Sequence, residues 1–370
     1  MIVEQKKFAF VDALRGFAVL GVVIAHLPLP AKAQVLNGAG AYGVQLFFVV
    51  SAFTLFNSVH SKFGIERRAV LNFFVRRFFR IAPAFYLALA FYLYKDGFAA
   101  RFWAPEGIHW PQILSTLGFM HGWKPDWINS VVPGGWSIAV EMTFYAFVPA
   151  CYHLIKDAQR ALLASIGLFG LGILANVATR LMLASQDAGG NTALTDYFLQ
   201  YWFPSQVCVF PFGFALYFLL RQPPSKPALR TSTILGIVFI VGYACIALAR
   251  SLYFGVHPQF LYGALFAALG YALAIKPIWL LVNPITCHIG KVSFSVYLFH
   301  FWALELIEHY LALPITYLGS LAAFAATLAV SVAIATCTFY LVEQPGQRIG
   351  SWVIRKIEQS SARGARLDQP

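Results

Sequence analysis

The chain has 370 residues, 59% of them hydrophobic and 11% charged, with a formal net charge of +12. Together with a mean hydropathy of +0.67, this excludes an ordinary soluble globular domain and describes an integral membrane protein with room for about ten spans of roughly 20 residues. The basic residues fall between apolar runs and form no aromatic-interleaved soluble patch, so no nucleic-acid partner is expected.

The first long apolar run is FAFVDALRGFAVLGVVIAHLPLP, beginning at Phe8. Lys6 and Lys7 before an apolar stretch, and Ala31-Lys32-Ala33 after it, suggest a cleaved leader, but Asp12 and Arg15 interrupt the would-be apolar region and favour a retained helix. Arg15 and His26 lie eleven residues apart, about three helical turns, so they share one face with about 16 Å between them along the axis. Ionisable groups inside a span cost a few kcal/mol each and mark a functional site by default. Asp12, one turn before Arg15, is positioned to pair with its guanidinium as a structural ion pair.

Further predicted spans cover roughly residues 41–58, 80–95, 135–155, 161–183, 197–220, 231–250, 258–276, 292–311 and 316–342, giving an all-α polytopic protein of ten transmembrane helices. With the N-terminus inside, 20 Lys/Arg fall on the cytoplasmic side and six outside, which predicts that both termini are cytoplasmic. The exterior connection 96–134 is rich in aromatic residues, including Phe102, Trp103, Trp110, Trp123 and Trp127, and is expected to lie in the interface or fold back over a cavity mouth. Residues 1–345 read as one membrane domain. Residues 346–370 read as a basic cytoplasmic tail. The five cysteines sit singly in apolar stretches, indicating neither a disulfide framework nor a metal site.

The fourth span begins Pro133-Gly134-Gly135-Trp136-Ser137 and carries Glu141 about two turns inside, with Ser137 one turn above and Tyr145 one turn below. Running from outside to inside, it would bring Glu141 to a depth similar to that of His26. A carboxylate orienting an imidazole there would suit general base catalysis, although each residue could equally be satisfied locally. Arg76, Arg77 and Arg80 close a segment, residues 62–80, that reads as a basic loop before the third span. The positive-inside rule accounts for them, and Arg77 and Arg80, at i and i+3, could also fork onto phosphates of an acyl-CoA or an anionic lipid. In the ninth span Ser293, Tyr297 and His300 share a face, either lining the same cavity or bonding to neighbouring helices.

These blocks, from VDALRGFAVLGVVIAH through GVQLFFVVSAF, RRFFRIAPAFY, GGWSIAVEMTFY and SFSVYLFH to YLVEQP, resemble in order the acyltransferase-3 family of bacterial membrane acyltransferases. The resemblance implies transfer of an acyl group, commonly acetyl, from acyl-CoA to a hydroxyl of a surface glycan or lipid-linked glycan at the inner membrane, with no permanently bound cofactor. It implies catalytic roles for Arg15, His26 and Glu141 and donor binding by Arg76, Arg77 and Arg80. Asp12, Gln45, Trp136, Ser137, Tyr145, Ser293, Tyr297 and His300 would line or orient the site. Gln45 and Ala52 stand where relatives usually carry Asp and Gly, which leaves open a catalytically silent partner within a polysaccharide assembly complex. A fused C-terminal hydrolase-like domain, present in some relatives, is not expected. The alternative is a transporter of an anionic solute, proton-coupled through Arg15, His26 and Glu141; broken helices or inverted repeats would favour it, and the sequence suggests neither.

Overall fold

The predicted spans fall largely on helix in the computed structural model, which describes residues 8–186, 192–221, 226–248 and 258–367, so the last two residues of the span 231–250 lie outside the described residues. The helices are α1 (Ala9–His26), α2 (Val35–Gly40), α3 (Gly43–Lys62), α4 (Ala69–Asp96), α5 (Trp110–Leu117), α6 (Gly135–Leu154), α7 (Ala158–Gln186) and α8 (Thr192–Tyr201). They continue with α9 (Phe203–Gln206), α10 (Phe210–Leu220), α11 (Lys226–Leu248), α12 (Gln259–Ile275), α13 (Pro284–Leu311), α14 (Tyr317–Thr338) and α15 (Gln344–Leu367). Among the described residues six stretches are long and apolar enough to cross a membrane: Ala9–His26, Ala31–Lys62, Ala158–Met182, Phe203–Leu220, Arg230–Leu248 and Tyr317–Ser361. The protein is therefore a multi-pass helical membrane protein. α4, α6 and α13 are of similar length but more polar, because they supply charged and hydroxyl side chains to the interior.

The contact between α1 and α13 sets the rest of the interior. A Cβ on Gly290 would lie 1.7 Å from the carbonyl oxygen of Asp12, and one on Gly16 would lie 2.5 Å from that of Thr286. The two backbones therefore touch, as small residues allow in membrane helix pairs. α13 is also sharply started: Asn283 Oδ1 accepts from the N–H groups of Ile285 and Thr286, both at 3.0 Å, with Pro284 in the first turn. α3 is buried on most sides, whereas α7 and α11 expose side chains such as Leu174 and Ile240, as lipid-facing helices do.

Three expectations change. The span 197–220 is interrupted: α8 ends at Tyr201, α9 lasts one turn, and a 3-10 turn at Val207–Val209 precedes α10. Pro204 and Pro211 stand at helix starts, where a missing N–H is tolerated. The basic segment before the third span is itself helical from Ala69. The last three residues of the segment expected as a tail lie outside the described ones, and its residues 346–367 lie within α15, which packs along α4. There the Glu358 carboxylate accepts from the backbone N–H groups of Arg67 and Arg68 at 3.2 and 3.0 Å and from Asn72 Nδ2 at 2.7 Å.

The exterior connection folds back into the bundle, as its aromatic content suggested. His121 is buried, its Nε2 lies 3.0 Å from the carbonyl oxygen of Gly135, and its ring stacks on Phe85. Burial pushes this imidazole down to about 4, so it is neutral at physiological pH.

Candidate active site

Three cavities follow one another through the bundle. A basic cavity of about 420 Å³ is lined by Arg15, Arg76, Arg77, Arg80 and Lys291, with Asp12 the one carboxylate among the described lining residues. A neck of about 80 Å³ shares Arg15, Arg77 and Arg80 with it and adds Ser51, Ser137, Glu141, Tyr145 and Ser293 between the rings of Phe47, Phe48 and Phe294. An aromatic cavity of about 360 Å³ meets the neck at Val44 and Tyr297 and contains His26 and His300. Helix direction explains the order. On α1 and α13 the sequence runs from basic cavity to aromatic cavity, Arg15 to His26 and Lys291 to His300. On α3 it runs the other way, from Gln45 through Ser51 to Thr54.

Around the basic cavity the arginines divide. Arg76 is bound by Glu66 through two bonds, Nη1 to Oε1 at 2.8 Å and Nη2 to Oε2 at 2.9 Å, so the donor-binding role expected of it meets a guanidinium already occupied. Arg80 Nη1 lies 3.5 Å from a carboxylate oxygen of Glu343, whose other oxygen accepts from Ser295 Oγ at 2.6 Å. Glu343 is fully buried and ends a π turn, Phe339–Glu343, of the kind that recurs at functional sites. Among the described residues Arg15 and Arg77 make no direct ion pair and no hydrogen bond, although Glu141 lines the neck with both and the Arg77 guanidinium lies 5.8 Å over the Phe73 ring. The predicted pairing of Asp12 with Arg15 is thus not formed, although both side chains face the same cavity. Two guanidinium groups in no direct ion pair at a protein-lined passage are chemically suited to receive an anion.

Glu141 is held within the neck. Its Oε1 accepts from Tyr145 OH at 2.7 Å and from Ser51 Oγ. The expected partnership with His26 is therefore corrected: the two line different cavities, because similar depth on two helices leaves their facing direction undetermined, and the α1–α13 contact turns His26 toward α13. There His26 meets His300, with ring centroids 5.1 Å apart and Phe301 against both. His26 Nδ1 lies 2.8 Å from the Val22 carbonyl oxygen, and His300 Nδ1 lies 2.7 Å from that of Tyr297. A carbonyl can only accept, so both neutral rings carry their proton on Nδ1. His26 then has an unprotonated Nε2 and is exposed to the cavity. Its Nδ1–H also lies 3.4 Å from the Nε2 lone pair of His300.

Ser137 and Tyr297 meet as one unit where neck and aromatic cavity join. Ser137 Oγ donates to Tyr297 OH at 2.8 Å, and Tyr297 OH donates to the Gly134 carbonyl at 2.8 Å. Gly134 has φ +76, and a Cβ there would lie 3.0 Å from the Tyr297 hydroxyl, so glycine is required on both counts. Trp136 stacks on Tyr201 with centroids 4.6 Å apart, and Gln45 Nε2 donates to Gln206 Oε1 at 2.8 Å. Sequence reasoning missed Ser51, Gln206, Asn129 and Glu343 as site residues. Each is a polar residue in or beside an apolar run, and Glu343 lies inside the YLVEQP block.

A chamber of cations, a narrow passage and a chamber whose described lining residues include His26 and His300 but no Lys, Arg, Asp or Glu thus follow one another through a multi-pass helical membrane protein. Residues 8–338 match the acyltransferase-3 model, described as an acyltransferase domain, and the chain belongs to that family. It is similar to O-acetyltransferase OatA of Staphylococcus aureus strains NCTC 8325 / PS 47 and COL, 26% identical over 337 residues in each case, covering 81% of this chain and 51% of the relative. The chain thus spans about half the length of these curated relatives. No solved structure gives a significant match.

Proposed function

We propose that the protein is an O-acetyltransferase of the bacterial inner membrane, moving an acetyl group from acetyl-CoA to a hydroxyl of a cell-surface carbohydrate or lipid-linked glycan. The observation that carries this reading is the pair of unpaired guanidinium groups, Arg15 and Arg77, at a neck that leads from a cationic chamber toward the unprotonated Nε2 of His26. The names of the relatives support the reaction, and the 20-to-6 bias of Lys/Arg supports ten crossings with both termini cytoplasmic. That sidedness opens the basic cavity to the compartment that holds acyl-CoA.

In this reading the phosphates of the donor rest on Arg77, Arg80 and Lys291, with Arg76 and Glu66 bracing the rim. The pantetheine arm threads between Phe47, Phe48 and Phe294. His26 Nε2 takes the proton of the acceptor hydroxyl as its oxygen attacks the thioester carbonyl. The C–S bond of the tetrahedral intermediate then breaks, and the imidazolium returns the proton to the departing thiolate. His300, through its Nε2 lone pair, stabilises the imidazolium and fixes the ring. Ser137 and Tyr297, whose hydroxyl protons are donated to Tyr297 OH and to the Gly134 carbonyl respectively, fix the wall of the junction beside the reacting centre. A two-step route through an acyl-His26 intermediate uses the same groups.

The test is reconstitution with radiolabelled acetyl-CoA and a glycan acceptor. Transfer is expected from the wild type and lost in His26→Ala, with acetyl-CoA affinity retained. Label trapped on the protein without acceptor, and absent from His26→Ala, would select the two-step route. The interrupted helix 192–220 is the one feature that favours transport of an anionic solute instead. Solute flux into liposomes without consumption of acetyl-CoA would establish that reading and overturn this one.

A further inference from the structure

The amide side chains of the aromatic cavity form a directed chain. Gln206 Nε2 donates to the Gln200 carbonyl at 2.8 Å, which fixes the amide, since the carbonyl can only accept. Gln206 Oε1 must then face Gln45, and it accepts from Gln45 Nε2 at 2.8 Å. This leaves Gln45 Oε1 without a partner on a residue only 3% exposed. Asn129 Oδ1, brought to the same cavity by the folded-back connection, is likewise buried and without a partner. Buried acceptors are ordinarily satisfied, so two of them at one cavity mark positions where a ligand supplies the donors.

The walls restrict that ligand further. Trp136 and Tyr201 stack as one flat platform, with the Trp103 ring 6.2 Å from Tyr201. No Lys, Arg, Asp or Glu stands among the described lining residues. A flat apolar face, hydrogen-bond acceptors and no fixed charge suit a ring that carries several hydroxyl or amide N–H donors and no charge of its own.

We propose that Gln45, oriented by Gln206, is the specificity-determining residue for the acceptor: its Oε1, together with Asn129 Oδ1, accepts hydrogen bonds from an uncharged pyranose ring seated against Trp136 and Tyr201. The assignment rests on the acceptor-side reading given above and adds to it the selection of neutral over charged sugars. A cationic amino sugar finds no counter-charge at this cavity, and a uronic acid would set its carboxylate against two carbonyl oxygens.

Binding of three soluble probes to the full-length protein in nanodiscs tests this directly: chitotetraose, its fully de-N-acetylated tetramer, and tetragalacturonate. Tryptophan fluorescence reads binding, and a separate titration with acetyl-CoA reads the donor site. Chitotetraose is expected to bind at least tenfold more tightly than either charged tetramer. Gln45→Met keeps the shape, removes the acceptor, and should weaken chitotetraose about tenfold with acetyl-CoA affinity unchanged. Gln45→Glu should shift preference toward the cationic tetramer. Asn129→Ala, in a connection and not in a helix, provides a second reading should the Gln45 variants fail to fold. Equal binding of all three probes, or unchanged chitotetraose affinity in Gln45→Met or, where that variant does not fold, in Asn129→Ala, overturns the proposal. Failure of acetyl-CoA to bind overturns the acyltransferase reading and leaves the sugar result standing on its own.

Discussion

The basic and aromatic cavities are of similar size, about 420 and 360 Å³, yet are built on opposite principles. One concentrates cations, two of its guanidinium groups in no direct ion pair among the described residues. The other excludes fixed charge and offers rings and amides. Charge attracts over distances near the Debye length and reads little of a ligand's shape, whereas hydrogen bonds and stacking act only on contact and read it closely. In the proposed reading, a multiply charged donor enters from one side and a sugar is chosen on the other, so each kind of force acts where it discriminates best.

That division can be broken at several points. The largest effect is expected from His26→Ala, which should lower transfer by at least about a hundredfold in a radiolabel assay, with both donor and sugar binding intact. Arg77→Ala should raise KM for acetyl-CoA about tenfold or more and leave sugar affinity unchanged. Arg76→Ala, whose guanidinium already belongs to Glu66, should move the same KM less than threefold or so. His300→Ala should reduce kcat more than KM and change the pH–rate profile, with His300→Gln restoring part of the loss because an amide can still accept from His26 Nδ1–H. Gly134→Ala forces a side chain into left-handed backbone at a cost of about 1–2 kcal/mol and presses on Tyr297, so transfer should fall while donor affinity holds.

The smallest effect concerns the folded-back connection. His121 is neutral when buried, with its pKa down at about 4, against an ordinary value of 6.5. Above pH 6.5 both seated and released forms are neutral and nothing is gained or lost. From 6.5 down to about 4 the released form takes up a proton that the seated form refuses, so seating weakens by up to about 3 kcal/mol. Proteolysis of residues 97–134 should therefore accelerate over that range in the wild type and respond less in His121→Phe.

Hydropathy made the helices legible, and period made the shared faces legible: Arg15 with His26, and Ser293 with Tyr297 and His300, line connected cavities as their spacing implied. Depth did not reveal facing direction. Glu141 and His26 looked like partners because distance along a helix can be counted from sequence, whereas rotation of one helix against another depends on contacts such as Gly16 and Gly290, whose meaning emerges only once the neighbour is known. The break at Trp202–Val209 was hidden because Pro204 and Pro211 sit in an otherwise apolar run of spanning length. Gln206 was passed over for the same reason.

The touching backbones of α1 and α13 bear on how this chain can vary in length. Asp12 and Gly16 are fixed against Gly290 and Thr286, so any residue added between them and His26 must turn everything downstream by about 100° and push it out by about 1.5 Å. His26 would then leave His300 and face another helix. Side chains along this stretch can drift wherever they meet only lipid, but the number of residues between Arg15 and His26 cannot, and a single-residue insertion there should silence the protein as completely as removing the imidazole.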